Sequence, residues 1–402
     1  MYCIRNVTDD WIYVGGSDRR QPLFEAAHPI PDGVSYNNYL LLDEKTVLMD
    51  TADRSVANVF FENVAHALNG RGLDYIVVQH MEPDHSASLG QALSLYPDAQ
   101  VVCTAKAAAM IRQFTGLDIS ERVRMVKEGD TLETGRHTLK FTMTPMVHWP
   151  EVMMTYDAAD KALFSADAFG HFGATDGRLF ADEVDFFGEY LDEARRYYAN
   201  IVGKYGMPVQ GVLKKAAALD IAYICPLHGF VWRRDFDRII AKYDLWSRYQ
   251  SEERGVLIAV ASVYGNTADA ARAAAAKLAE KGVKCALYDV SATDPSYILS
   301  EAFRYSHLLL ASPTYNNGVF VKMENLLHDM AAHTLANRTV FMIQNGSWAP
   351  AAAAGMKAIL EGLKGFVFAE PVLTLKSALA PEQAGEMDDF VNAVCESVGG
   401  SV

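Results

Sequence analysis

The chain has 402 residues, 50% of them hydrophobic and 21% charged. That length points to two domains rather than one core, and the composition is ordinary for a globular protein. A formal net charge of −14 is wrong for a nucleic-acid binder, whose affinity rests on Lys and Arg at phosphates.

No apolar run reaches the roughly 18 residues that a membrane helix needs, and Met1-Tyr2-Cys3-Ile4-Arg5 lacks the charged-then-apolar plan of a signal peptide. The five cysteines, Cys3, Cys103, Cys225, Cys285 and Cys395, form no CxxC pair. They therefore suggest neither a zinc ribbon nor a thioredoxin-like or rubredoxin-like centre. Reduced thiols in a cytoplasmic protein are the expectation. Cys225 lies three residues before His228, which leaves a role near a site open.

From Val34 to about Val231 the pattern is many short strands with surface helices between them. Asn38 to Leu42 and Thr46 to Asp50 form a hairpin turning at Asp43-Glu44-Lys45, and Val56 to Leu68 has helical spacing at Val59, Phe60, Val64 and Leu68. Asp74-Tyr75-Ile76-Val77-Val78 is a buried strand, followed by Gln79-His80-Met81-Glu82-Pro83-Asp84-His85. A helix after Ser86 and strands at Gln100 to Cys103, His137 to Thr144, Val152 to Tyr156, Ala162 to Ser165 and Ala222 to Cys225 complete an α+β sandwich.

Arg238 to Arg254 reads as a helix running into a polar linker at Ser251 to Gly255, which places the domain boundary between residues 252 and 253. Beyond it, apolar strands at Val256 to Ser262, Lys284 to Val290, His307 to Ala311, Thr339 to Gln344 and within Phe366 to Leu375 alternate with helices. The helices fall at Thr267 to Lys281, near Pro295 to Tyr305, Lys322 to Ala336 and Ala352 to Leu363, and from Pro381 to about Val398. Five strands alternating with helices predict a doubly wound parallel sheet.

The segment His80 to His85 concentrates the chemistry. Two imidazoles and two carboxylates within six positions need a common partner if buried, and a cation is the simplest one. Pro83 ends the strand, so these groups sit on a loop at its carboxyl end. Four more candidates follow strands in the same way: His148, Asp167, His171 and His228. His28, His66, His137, His307, His328 and His333 have no such company and are taken as ordinary core or surface residues.

In the second half, Ser262-Val263-Tyr264-Gly265-Asn266-Thr267 closes a strand and opens a helix. Its hydroxyls, its Gly and the free N–H groups of a helix N-terminus suit a phosphate. The loops Ser312-Pro313-Thr314-Tyr315-Asn316-Asn317-Gly318 and Asn345-Gly346-Ser347-Trp348 follow the next central strands, where open α/β sheets bind ligands. Tyr315 and Trp348 can pack on a planar ring, although bare aromatics also serve as core.

The His80 to His85 spacing resembles that of the metallo-β-lactamase fold, with Glu82 where its zinc enzymes carry their second His. That feature, with the flavodoxin-like phosphate loop, makes the whole chain similar to the flavodiiron proteins (A-type flavoproteins) without a rubredoxin extension. The resemblance implies a metallo-β-lactamase-like αββα sandwich at 1–252 and a flavodoxin-like sheet of order 2-1-3-4-5 at 253–402. It implies one iron on His80, Glu82 and His148, another on Asp84, His85 and His228, and Asp167 bridging them. Three carboxylates and four imidazoles without thiolate suit redox-active iron, though ligand type alone also admits zinc or manganese.

The resemblance further implies FMN, an external donor such as a rubredoxin or reduced deazaflavin, and reduction of dioxygen or nitric oxide. It also implies a head-to-tail homodimer or a dimer of such dimers. Tyr197 and Tyr198 fall in a stretch similar to one near the metals in that family, with helix packing as the alternative. One departure stands out: the third loop runs Ser347-Trp348-Ala349-Pro350-Ala351 where the family often has Gly-Trp-Ser-Gly-Glu. A zinc hydrolase with a flavodoxin-like appendage and a simple electron carrier are the rival readings.

Overall fold

A computed structural model describes residues 2–399; Met1 and residues 400–402, the outer ends of the two expected domains, lie outside them. The chain divides into two compact units, residues 1–198 with 207–244, and residues 199–206 with 245–402. The second unit thus takes in eight residues of a segment that falls well inside the first domain as expected from sequence. No helix among the described residues is long and apolar enough to cross a membrane.

In the first unit, seven strands lie in sequence order: β1 (Arg5–Asn6), β2 (Trp11–Tyr13), β3 (Tyr39–Leu42), β4 (Thr46–Met49), β5 (Tyr75–Val78), β6 (Gln100–Cys103) and β7 (Val123–Met125). The pairs through β4 are antiparallel and those from β4 to β7 parallel. A second sheet holds β8 (Thr131–Glu133), β9 (Thr138–Met143), β10 (Met153–Asp157), β11 (Ala162–Phe164) and β12 (Tyr223–Cys225).

The two sheets face each other across one core. Leu41, Val47, Val77 and Val102 from the first meet Leu139, Phe141, Phe164 and Cys225 from the second. In β9 the alternation is visible, with Leu139 and Phe141 inside and Lys140 exposed. Helices α1 (Ala57–Leu68), α2 (Ala105–Thr115) and α3 (Leu191–Tyr197) belong to the same unit. Helix α1 buries Phe60, Phe61, Val64 and Leu68, leaves Val59 half-buried, and ends on Asn69 at φ 47°. Strands β1, β2, β7 and β8, two or three residues each, are too short to show periodicity and were not foreseen.

The second unit is a parallel sheet with β13 (Glu253–Val260), β14 (Cys285–Asp289), β15 (Tyr305–Tyr315), β16 (Thr339–Asn345), β17 (Val367–Phe368) and β18 (Leu373–Leu375). Its order is β14-β13-β15-β16, with β17 and β18 both on the far edge of β16. This is the 2-1-3-4-5 order with the fifth strand in two pieces, the interruption containing Pro371, which cannot donate to a ladder. Helices α4 (Asn266–Glu280), α5 (Pro295–Arg304), α6 (Val321–Ala332), α7 (Ala352–Leu360) and α8 (Ala384–Gly399) alternate with the strands. Asp294 caps α5 by accepting from Ser296 N, and Gly282 at φ 77° ends the turn beyond α4.

Candidate metal centre and flavin cavity

The loop after β5 is held by backbone geometry before any metal is considered. Asp50, buried at the end of β4, accepts from Gln79 N at 2.7 Å, Gln79 Nε2 at 3.1 Å and His80 N at 3.3 Å. Burial pushes its carboxyl up to about 6. Pro83 opens the helical turn Pro83–Ser86. The Ser86 hydroxyl bonds back to Met81 O and Glu82 O, and Thr51 donates to His85 O from both N and Oγ1. Those bonds aim His80, Glu82, Asp84 and His85 inward.

Three later loops close on this one. His148 follows β9, Asp167 follows β11 and His228 follows β12. Leu227 N donates to Ala166 O, tying the last two loops together. His228 Nδ1 donates to Ser35 O at 2.7 Å, leaving Nε2 to face the centre.

The seven side chains form two groups. In one, His80, Glu82, His148 and Asp167 each offer a donor atom within 4.8 Å of the others; in the other, Asp84, His85 and His228 do the same. Asp167 joins them. Its Oδ2 lies 3.2 Å from His80 Nε2 and 3.1 Å from His148 Nε2, while Oδ1 lies 3.2 Å from His85 Nε2 and 3.6 Å from His228 Nε2. One carboxylate thus turns one oxygen to each group.

The donor set fits a pair of cations. Both oxygens of Asp84 and of Asp167 are buried without a hydrogen-bond partner, and so is His148 Nε2. Such orphans cost free energy unless something else satisfies them. The electrostatics agree. Burial works against a charged His148, yet Asp167 and Glu82 outweigh it and push its imidazole up to about 9. The pocket calls for positive charge.

His171 is brought close but is not among the donors. It is buried, with Nδ1 donating to Phe172 O at 2.7 Å and Nε2 accepting from Phe230 N at 3.1 Å. Both nitrogens are spent on the backbone beside His228. Tyr197 packs its ring 5.5 Å from His228, and its hydroxyl is buried without a partner. Tyr198 packs against Tyr243 at 5.0 Å, as helix packing would have it. Cys225 is core, its thiol raised by burial.

Two acidic residues escaped the sequence reading. Burial and then a hydrogen bond with Glu82 push Glu25 up to about 8. Glu151 accepts from His80 Nδ1 at 2.8 Å. Neither belongs to a motif, and no local pattern announces them.

In the second unit, a cavity of about 480 Å³ opens at the carboxyl ends of the central strands. Ser262, Val263, Tyr264, Asn266, Thr267, Pro313, Thr314, Tyr315, Asn316, Asn317, Asn345, Gly346, Ser347 and Trp348 line it, together with Ala349 and Ser377, which were not foreseen. Gly265, Ser312 and Gly318 do not line it. Gly265 precedes α4 at φ 99°, a conformation that favours glycine, and Ser312 is fully buried.

The cradle is internally braced. Asn345 Nδ2 donates to Thr267 Oγ1 at 3.1 Å and to Ser377 O at 2.8 Å. The altered third loop docks through Thr314 Oγ1, which accepts from Ala351 N and Ala352 N. The N-terminus of the 15-residue helix α4 supplies an anion site. Tyr264 and Trp348, 94% and 90% exposed, leave broad aromatic faces at the cavity for a planar ring to cover.

Comparisons with known proteins agree with this geometry. A family model described as ODP family beta lactamase matches residues 34–229, and a flavodoxin model matches residues 258–391. An anaerobic nitric oxide reductase flavorubredoxin of Escherichia coli is 34% identical over 87% of this chain and 73% of its own length. The chain belongs to the flavodiiron protein family.

Flavodiiron proteins are oxidoreductases with FMN and two non-haem irons as cofactors, and the chain is one of them. A flavorubredoxin of Aeromonas hydrophila is 35% identical over 79% of this chain, which spans 64% of that protein's length. Among solved structures, the flavodiiron protein from Giardia intestinalis has a TM-score of 0.91 at 28% identity, covering 98% of this chain and 96% of its own. The rubredoxin oxygen:oxidoreductase of Desulfovibrio gigas has a TM-score of 0.92 at 25% identity, covering 98% of each chain.

Proposed function

We propose that this flavodiiron protein reduces dioxygen to water, nitric oxide to nitrous oxide, or both, with electrons from an external donor such as a rubredoxin-like protein or a reduced deazaflavin. The observation that carries the reading is the position of Asp167, one oxygen toward each group of donors. In this proposal His80, Glu82 and His148 hold one iron, Asp84, His85 and His228 the other, and Asp167 bridges. Residues 1–252 then form the diiron domain and 253–402 the FMN domain.

When bound, FMN and the iron pair supply electron transfer and Lewis acidity. Everything else falls to the chain. The three carboxylates would offset the charge of two close cations, and seven protein donors for two ions would leave room for a diatomic gas. The buried walls keep bulk water away, and the Tyr197 hydroxyl is placed to donate a hydrogen bond on the His228 side. In the second unit, Thr267, braced by Asn345, and the α4 N-terminus would hold the phosphate end, and Tyr264 and Trp348 would cover the ring. We further propose a cytoplasmic head-to-tail homodimer, or a dimer of such dimers, which would bring one subunit's flavin near its partner's irons.

Elemental and flavin analysis of anaerobically purified protein, followed by gas consumption under a chemical reductant, tests the proposal. About two irons and one FMN per chain with uptake of either gas are expected. Zinc persisting after iron-replete expression, with no gas uptake, would overturn it.

A further inference from the structure

His80 differs from His85 and His228 in what stands behind it. Its Nδ1 lies 2.8 Å from Glu151 Oε1, a fully buried carboxylate. An ionised carboxylate only accepts, so Nδ1 carries a proton toward Glu151, and Nε2 faces Glu82 and Asp167, where a bound cation would take its lone pair. The same Glu151 oxygen accepts from Met81 N at 2.9 Å, so one carboxylate fixes both the ring and the loop that carries it. Behind His228 the corresponding partner is only a neutral carbonyl, Ser35 O at 2.7 Å, and His85 Nδ1 is buried with none.

Charge-assisted hydrogen bonds are roughly twice as strong as neutral ones. A carboxylate behind an imidazole makes it a more basic ligand, and losing such a partner commonly costs about 10–100-fold in metal affinity. In the other group the backing is neutral or missing. We propose that Glu151 is a positioning residue for His80, and that it makes the two metal positions electronically unequal, the one on His80 favouring the more oxidised ion. This rests on the ligand assignment proposed above.

The test uses holoprotein of the wild type, Glu151→Gln and Glu151→Asp. The Gln amide oxygen can still accept from His80 Nδ1 and Met81 N, so that variant removes the charge and keeps the geometry. A reductive titration followed by the mixed-valence electron paramagnetic resonance signal reads the two one-electron steps, and a chelator challenge reads iron retention. In Glu151→Gln one step moves to higher potential, by about 59 mV for each tenfold loss of preference for the oxidised ion. The other step stays, and one iron of the two is released about 10–100-fold more readily. Glu151→Asp, which keeps the charge at a longer reach, falls between.

Unchanged potentials and retention in Glu151→Gln would overturn the proposal, and so would equal movement of both steps. Should that variant fail to fold, Glu151→Asp decides alone: one step displaced supports the proposal, both unmoved defeats it. A wild type that binds no iron pair defeats the ligand assignment, and this inference with it. Two irons in the wild type with an indifferent Glu151 defeat this inference only.

Discussion

The ring of Tyr197 lies 5.5 Å from that of His228 at an interplanar angle of 56°, and its hydroxyl is buried without a hydrogen-bond partner. Burial first, then the carboxylates of Asp167, Glu82 and Asp84, hold that hydroxyl in its protonated form. A buried orphan hydroxyl costs on the order of 1–3 kcal/mol. Tyr197→Phe is therefore expected to leave the melting temperature unchanged or raise it by a few degrees. Turnover should move the other way, by about tenfold or more, if the hydroxyl donates to the reacting gas. Calorimetry and gas-uptake kinetics on the same sample separate the two effects, and a destabilised but fully active variant would contradict this account.

Gly229 stands directly after His228 at φ 78°, and a Cβ there would run into the His171 ring. Its N–H donates to Ser35 Oγ, while His228 Nδ1 donates to Ser35 O. Gly229→Ala should push His171 aside, strain the backbone and turn His228 off its axis. The expected result is iron falling to about one per chain or less while FMN content holds, read by metal and flavin analysis. Retention of both metals would show that the loop has slack the packing does not reveal.

Much of this was legible in the sequence because the donors His80 to His85 are crowded into one loop and their partners each follow a strand. The parallel sheet of the second unit was equally plain, since its apolar runs alternate with Ala-rich helices. Other features had no local signature. Glu151 and Glu25 are single carboxylates whose meaning comes only from what folds against them. Strands β1 and β2 are two and three residues long, and the pairing of β2 with β3 is a tertiary fact. The fifth strand of the second sheet reads as one run, but the stretch containing Pro371 splits it into β17 and β18.

The flavin cavity gives a prediction with a graded outcome. Trp348 is 90% exposed and Tyr264 94%, so truncating either removes little packing from the protein itself. An aromatic stack is worth about 0.5–1.5 kcal/mol beyond burial. Trp348→Ala and Tyr264→Ala should each weaken FMN binding by about 2–10-fold, with the melting temperature of flavin-free protein unchanged. Fluorescence titration of FMN, quenched on binding, measures this. Thr267→Val should cost more, because it also leaves the Asn345 amide without one of its acceptors.

His307 supplies a pH dependence within the second unit. It is 5% exposed on β15, with Nδ1 at 2.7 Å from Ser306 Oγ and Nε2 at 3.0 Å from Ser397 Oγ. Burial, and secondarily the Arg254 charge, push its imidazole down to about 4, against about 6.5 in an unfolded chain. Between those values the unfolded chain binds more protons than the folded one, so stability rises with pH across the window. The contribution is complete above about pH 6.5 and is lost progressively toward pH 4. After allowance for solvent screening it amounts to about 1–2 kcal/mol. Denaturant unfolding at a series of pH values, compared between wild type and His307→Gln, isolates it. The wild-type curve should fall more steeply from pH 6.5 to 4, and parallel curves would mean that His307 does not titrate with folding.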